Sequence, residues 1–314
     1  MARVVRLVSA GPPHRAAHCG NGRQRSDTMG RISGMVTYPS PTSTTPTTIA
    51  SSVTWNPYGG IASVVLGNGL TQAFTYDTDY RVTRVQVGNA ASGVGAWLDR
   101  SLTWTGNFAT AIADNQNPGN TTPFVWNQQS QNFTYTPAGR LASAKGYYGT
   151  ISWLYDANGN RTRETLNGVV STYTYPTTSN KLTKVTPTGG TARNFTYDAA
   201  GATLTDSRTG ALGLTYQHDV EGRLSKVYQT NNTAEGATYT YDARGRLSSR
   251  TVTHASAPAS TTTVYVHDLN DHIIAELNVS GQTQREYIWL DDMPVAVVDN
   301  VASGNPVIYF VHVD

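Results

Sequence analysis

A nine-residue phrase recurs through this sequence: an aromatic or apolar residue, Thr, an aromatic residue, Asp, two variable residues, Gly, Arg and Leu. Clear copies are Phe74-Thr-Tyr76-Asp77, Phe133-Thr-Tyr135 with Gly139-Arg140-Leu141, and Leu154-Tyr155-Asp156 with Gly159. Further copies are Phe195-Thr-Tyr197-Asp198 with Gly201, Leu214-Thr-Tyr216 with Gly222-Arg223-Leu224, and Tyr239-Thr-Tyr241-Asp242 with Gly245-Arg246-Leu247. From Tyr135 onward the aligned aromatics lie 19 to 25 residues apart. Tyr265-Val-His267-Asp268 continues the series, and weaker copies surround Trp55, Trp104 and Tyr175. A fixed period decides the architecture, because a unit too small to bury its own apolar face must stack on its neighbours.

The unit reads as a β-hairpin. Aromatic-Thr-aromatic alternates with period 2 and places both rings on one strand face and Thr on the other. Asp-x-x-Gly fits a type I turn, with Asp capping the backbone and Gly taking the left-handed conformation that forms a bulge. The composition is that of such hairpins: 45 Thr, 18 Tyr and 29 Gly among 314 residues, where Thr and Tyr suit a pleated surface and Gly suits turns. Several copies are degraded, with Tyr80 in the place of the turn Gly, Thr136 in that of Asp and Ala202 in that of Arg.

Charge and cysteine content narrow the function classes. Five arginines fall within residues 1–26, so the formal charge of +2 belongs to that segment, and the remainder carries 18 basic against 21 acidic groups. A nucleic-acid partner is therefore not expected, since it would need clustered Lys and Arg on the folded part. The single cysteine, Cys19, excludes an internal disulfide framework. Arg6 interrupts the short apolar run near the start, which fails as a signal peptide, and no stretch reaches the length of a membrane span.

The ordered series of Tyr-Asp-x-x-Gly-Arg-Leu units resembles the YD repeats of the RHS (rearrangement hotspot) family, which includes the shells of bacterial toxin complexes and the teneurins. The stretch Glu286-Tyr287-Ile-Trp289 to Val298 resembles the approach to that family's core, and Ile308 to Asp314 resembles the start of the segment that follows. The resemblance implies an all-β fold, a spiral of antiparallel hairpins forming part of a hollow β-shell; a β-propeller of paired repeats is the alternative. It also implies a non-catalytic shell segment that encloses a C-terminal toxin during export and contact-dependent competition. Its partners would be the C-terminal core and toxin of the same protein, with a secretion apparatus or a cell-surface glycan as further candidates. Location would be bacterial and secreted or cell-surface associated. The alternative function is a carbohydrate- or receptor-binding module. The expected organisation is a tail over 1–26 outside the repeats, a repeat segment over 27–314, and a Pro/Thr/Ser-rich loop over 38–52.

No cofactor or metal site is expected. His14, His18 and Cys19 offer three zinc ligands without a fourth. Asp156, Asn158 and Asn160 mimic the start of a calcium loop, but Arg161 stands where that loop needs Gly and Asn167 where it needs Glu, so a turn is the preferred reading. His267, Asp268, Asp271 and His272 are the densest titratable cluster, yet they occupy an ordinary repeat turn. Recurrence of Tyr at one repeat position argues for a packing ladder. The less regular Trp97, Trp104, Trp126, Trp153 and Trp289 are the candidates for stacking on a ligand.

Overall fold

A computed structural model describes residues 23–38, 44–57, 59–116, 129–208, 212–256, 260–303 and 305–312. Their regular elements are 25 strands of an open antiparallel sheet and one short 3-10 turn, Val301–Ser303. The fold is therefore all-β and is not a closed barrel. The chain falls into two compact units, Met1–Gln128 with Thr263–Asp314, and Gln129–Thr262.

The first unit opens with β1 (Arg23–Ser26), β2 (Ile32–Thr37), β3 (Thr47–Trp55), β4 (Ile61–Leu66), β5 (Thr71–Tyr76), β6 (Val82–Asn89), β7 (Gly93–Thr105) and β8 (Phe108–Asp114). Each pairs antiparallel with the next. The second unit carries β9 (Gln131–Tyr135), β10 (Leu141–Gly146), β11 (Gly149–Tyr155), β12 (Arg161–Leu166), β13 (Val169–Thr174) and β14 (Lys184–Pro187). It continues with β15 (Arg193–Tyr197), β16 (Thr203–Arg208), β17 (Leu214–His218), β18 (Leu224–Gln229), β19 (Asn232–Tyr241) and β20 (Leu247–Thr253), again paired in chain order. The first unit resumes through β21 (Thr261–His267) and then has β22 (Ile273–Leu277), β23 (Thr283–Leu290), β24 (Met293–Asp299) and β25 (Val307–Phe310).

Two expected boundaries shift. Arg23–Ser26, inside the segment read as a tail, pairs with β2 across a complete Asp27 turn. Thr47–Ser52, inside the stretch read as a loop, begins β3 because the β-branched Thr and Ile suit a strand and Ile49 and Ala50 enter a core. Residues 1–22, including His14, His18 and Cys19, lie outside the described residues, as do residues 39–43 and Trp126.

The units are built differently. In the first, Met35, Ile49, Val64 and Leu66 of β2–β4 pack with Ile288, Leu290 and Val295 of β23–β24 in a fully buried cluster. Each such side chain contributes roughly 1.5–3 kcal/mol of hydrophobic stabilisation. Gly67 permits a close approach, since a Cβ there would lie 2.0 Å from the Thr48 carbonyl and 2.7 Å from the Phe310 ring. The repeat period predicts contacts chiefly between neighbouring repeats, and this packing of early strands on late ones departs from that.

In the second unit few side chains are buried; among the described residues these are Ala144, Asp206 and Ala237. Along β9 and β15 the rings are half-buried while the intervening Thr side chains are exposed. The threonine face is tied across strands by hydroxyl pairs, Thr134–Ser143 at 2.7 Å, Thr196–Thr205 at 2.6 Å and Thr240–Ser249 at 2.7 Å. Such cross-strand pairs each stabilise a sheet by about 0.2–1 kcal/mol.

Candidate functional site

The recurrent structure is the joint between one hairpin and the next, and it begins in the turn. At Asp242 the backbone N–H donates to the Arg246 carbonyl at 2.9 Å, and Gly245 N–H donates back to the Asp242 carbonyl at 2.9 Å. The carboxylate fills the space between: Oδ1 accepts the N–H groups of Arg244 and Arg246, and Oδ2 accepts Arg246 Nε at 2.8 Å. Gly245 has φ +80°, a conformation that costs an ordinary L-residue about 1–2 kcal/mol. The same pattern holds Asp27, Asp77 and Asp219. The degraded copies keep the turn: Tyr80 adopts φ +61° and still donates to the Asp77 carbonyl, and Thr136 Oγ1 replaces the carboxylate by accepting Arg140 N–H at 3.1 Å.

These bonds fix the carboxyl pKa values. Arg246, through guanidinium and N–H together, draws Asp242 from the ordinary 3.8 down to about 2. Burial alone would raise Asp27 and Asp219, but the donors of Arg31 and Arg223 hold both below the usual range. Arg81 N–H lowers Asp77, and the Asn160 amide lowers Asp156. In the opposite direction, burial raises the Tyr76, Tyr197 and Tyr241 hydroxyls above 10.0.

Depressed carboxyls favour the folded state above about pH 4 and lose that contribution as pH falls toward 2, while raised phenols lose theirs as pH rises above 10. Thermal melts followed by circular dichroism are therefore expected to give a plateau of stability near neutrality with a fall at each extreme. Stability that is unchanged from pH 5 to pH 2 would contradict the turn assignment.

From the turn, two contacts cross to the neighbouring hairpin. The ring next to the turn reaches back to a carbonyl of the preceding repeat: Tyr76 Oη to Ile61 (3.0 Å), Tyr155 to Leu141 (2.7 Å), Tyr197 to Leu182 (2.7 Å) and Tyr241 to Leu224 (2.8 Å). Tryptophan does the same through Nε1, from Trp55 to Ile32 (2.8 Å), Trp104 to Val82 (2.8 Å) and Trp289 to Ile273 (2.9 Å). In several joints the cation that closes the turn reaches forward. Arg140 lies over Tyr155 and donates to the Asp156 carbonyl, Lys181 lies over Tyr197 and donates to that of Asp198, and Arg223 lies 4.7 Å from the Tyr241 ring centre. Each ring hydrogen bond contributes a net 0.5–1.5 kcal/mol or so, and each cation–ring contact about 0.5–1 kcal/mol.

This geometry places the remaining candidates. Trp104 and Trp289 are rungs of the ladder. Trp153 donates to Glu164 at 2.9 Å beneath the Arg161 guanidinium, and Trp97 is 64% exposed. Trp97→Ala is thus expected to change stability by less than about 0.5 kcal/mol and Trp104→Ala by about 2 kcal/mol or more, measured by urea unfolding. Tyr135 lies in β9 facing Leu141 beside Gly139 (φ +74°), with Gly159 and Gly201 likewise at positive φ in their turns. Tyr216 sits one alternation earlier than its sequence alignment suggests: His218 takes the bulged position opposite Leu224, beside the Asp219–Gly222 turn.

Asp156 spends its carboxylate on Asn160, whose amide and that of Asn158 also bond Asn180, as a turn requires. His272 stands in for arginine: Nδ1 faces Asp268 and Nε2 faces Asp292, each at 3.1 Å, and the ring stacks on Trp289 at 4.4 Å. Among the described residues no three His, Cys, Asp or Glu gather in a metal-binding group, and no helix is long and apolar enough to cross a membrane.

The family model described as teneurin YD-shell matches residues 115–301, more than half of the chain. No curated protein is found to match this sequence. Among solved structures, the chain is similar to one in the Photorhabdus luminescens Tc holotoxin pore, with TM-score 0.48 and 15% identity, covering 85% of this chain and 16% of that one. It is also similar to the crystal structure of TcdB2-TccC3, with TM-score 0.46, 15% identity and coverage of 85% and 17%. The chain thus spans about a sixth of the length of those structures.

Proposed function

The chain belongs to the teneurin YD-shell family, and on that premise we propose that it is a non-catalytic wall segment of an RHS-type shell that encloses a toxic polypeptide during export and contact-dependent competition. The observation that supports this reading is the joint itself. In the intact joints the carboxylate holds its own turn, as Asp242 does with Arg246, while the cation and the ring donor hold the adjacent hairpin, so the polar groups of these repeats serve cohesion. A sheet extended in this way screens strand edges and can separate a harmful chain from its surroundings. The proposed partners are the rest of that shell and its enclosed cargo, with a secretion apparatus engaged during export, and the proposed location is secreted or cell-surface.

Limited proteolysis of the whole gene product tests the proposal. Peptides outside the repeats are expected to resist a protease while the wall is intact and to be cleaved rapidly once mild denaturant loosens it. Equal cleavage in both conditions would overturn the shell reading. The exposed Trp97 favours a second reading, glycan binding, which requires binding on a glycan array that is lost in Trp97→Ala.

A further inference from the structure

One joint in the second unit lacks its cation, and the receptors for that cation are still in place. The Asp198–Gly201 turn has the usual backbone bonds, and Asp198 Oδ1 accepts the N–H of residue 202 at 2.8 Å. Residue 202 is alanine, so nothing in the turn does for Asp198 Oδ2 what Arg223 Nε does for Asp219 or Arg246 Nε for Asp242. Other substituted turns are filled. Asn160 donates its amide to Asp156 Oδ2, His272 covers Asp268, and Gly60 leaves space that the Tyr76 hydroxyl takes, lying 2.6 Å from where a Cβ would be.

Beside Ala202 a cleft of about 500 Å³ opens, lined by Asp198, Ala202, Tyr216, His218 and Asp219; a cleft of about 640 Å³ opens beside the Asn160 turn as well, but there the Asn160 amide covers Asp156 Oδ2. This volume lies within the roughly 300–1,000 Å³ range of small-ligand clefts. Its walls match what a guanidinium meets in the intact joints: a turn carboxylate, the ring of the next hairpin at His218, and the next turn's first residue at Asp219. A guanidinium is planar, always charged and rich in donors, which suits it to a carboxylate beside a ring.

We propose that this vacant seat is a binding site for an arginine side chain supplied by another polypeptide segment, which completes the joint from outside. The inference rests on comparison between repeats and not on the shell reading, so either can fail alone. Its chemical content is a carboxylate–guanidinium contact with ring stacking, selective for Arg over a neutral isostere.

The test is ligand-observed NMR on the full chain with N-acetyl-L-arginine amide and its uncharged counterpart N-acetyl-L-citrulline amide. Saturable binding of the arginine probe is expected, at least tenfold tighter than citrulline, lost in Ala202→Arg because the chain then fills its own seat, and weakened tenfold or more in Asp198→Asn. Ala202→Arg is also expected to raise the melting temperature, a readout that shows the variant is folded. If Ala202→Arg does not fold, Asp198→Asn decides alone. Absence of arginine binding, equal binding of the two probes, or binding that survives either substitution would overturn the proposal.

Discussion

Leu290→Ala is expected to cost about 3–4 kcal/mol of stability, the largest loss from any single truncation considered. Leu290 is 0% exposed and meets Ile288, Val295 and the β3–β4 aliphatics in the one extensive apolar cluster of the described residues. Truncation removes the transfer energy of the side chain and leaves a cavity that a close-packed core cannot collapse around. The control is Leu154→Ala in β11, where the side chain is 56% exposed and the expected change is below about 0.5 kcal/mol. Hydrogen exchange read by mass spectrometry localises the effect: peptides of β3, β4, β23 and β24 are expected to lose protection in Leu290→Ala. Equal small effects from both variants would contradict the assignment of this cluster as the core of the first unit.

Tyr241 carries the second large effect, and here the rank order matters more than the magnitude. Tyr241→Ala removes a half-buried ring, its bond to the Leu224 carbonyl and the surface under Arg223, at an expected cost of about 2–3 kcal/mol. Tyr241→Phe keeps the ring and loses only the donor, about 1 kcal/mol. Tyr241→Trp is expected to fall closest to the parent, because Trp55, Trp104 and Trp289 already make the equivalent bond through Nε1. Urea unfolding of the three variants checks the order Ala, Phe, Trp from most to least damaging. Phe as benign as Trp would show that the ring's packing, and not its bond to the neighbouring hairpin, holds the joint.

The hairpin unit was legible because Asp and Gly act locally: the carboxylate of Asp242 and the positive φ of Gly245 need only the residues between them. The joint was only partly legible. The residue next to the turn is Tyr in the clear copies and Trp in weaker ones, while Phe74, Phe133 and Phe195 occupy the position two residues earlier, where no donor is needed. That division by donor capacity would have placed Trp104 and Trp289 on the ladder, and the position directly before Asp219 would have placed His218, ahead of Tyr216, beside the turn. The core of the first unit was not legible, since Ile49 and Leu290 are 241 residues apart and no repeat rule pairs them. The β3 start was masked by a Pro- and Ser-rich context whose threonines are equally good strand formers. The seat at Ala202 was visible as a missing arginine, but only the intact joints reveal what that arginine would have touched.

The hairpins of β9–β20 lie side by side in chain order, as a wall requires. Cryo-electron microscopy of the whole gene product tests the wall reading most directly. The expected map shows the strands of residues 131–253 running side by side around a lumen that contains additional polypeptide density. Strands radiating from a narrow axis as propeller blades, or a wall with an empty, solvent-filled interior in every particle class, would contradict it.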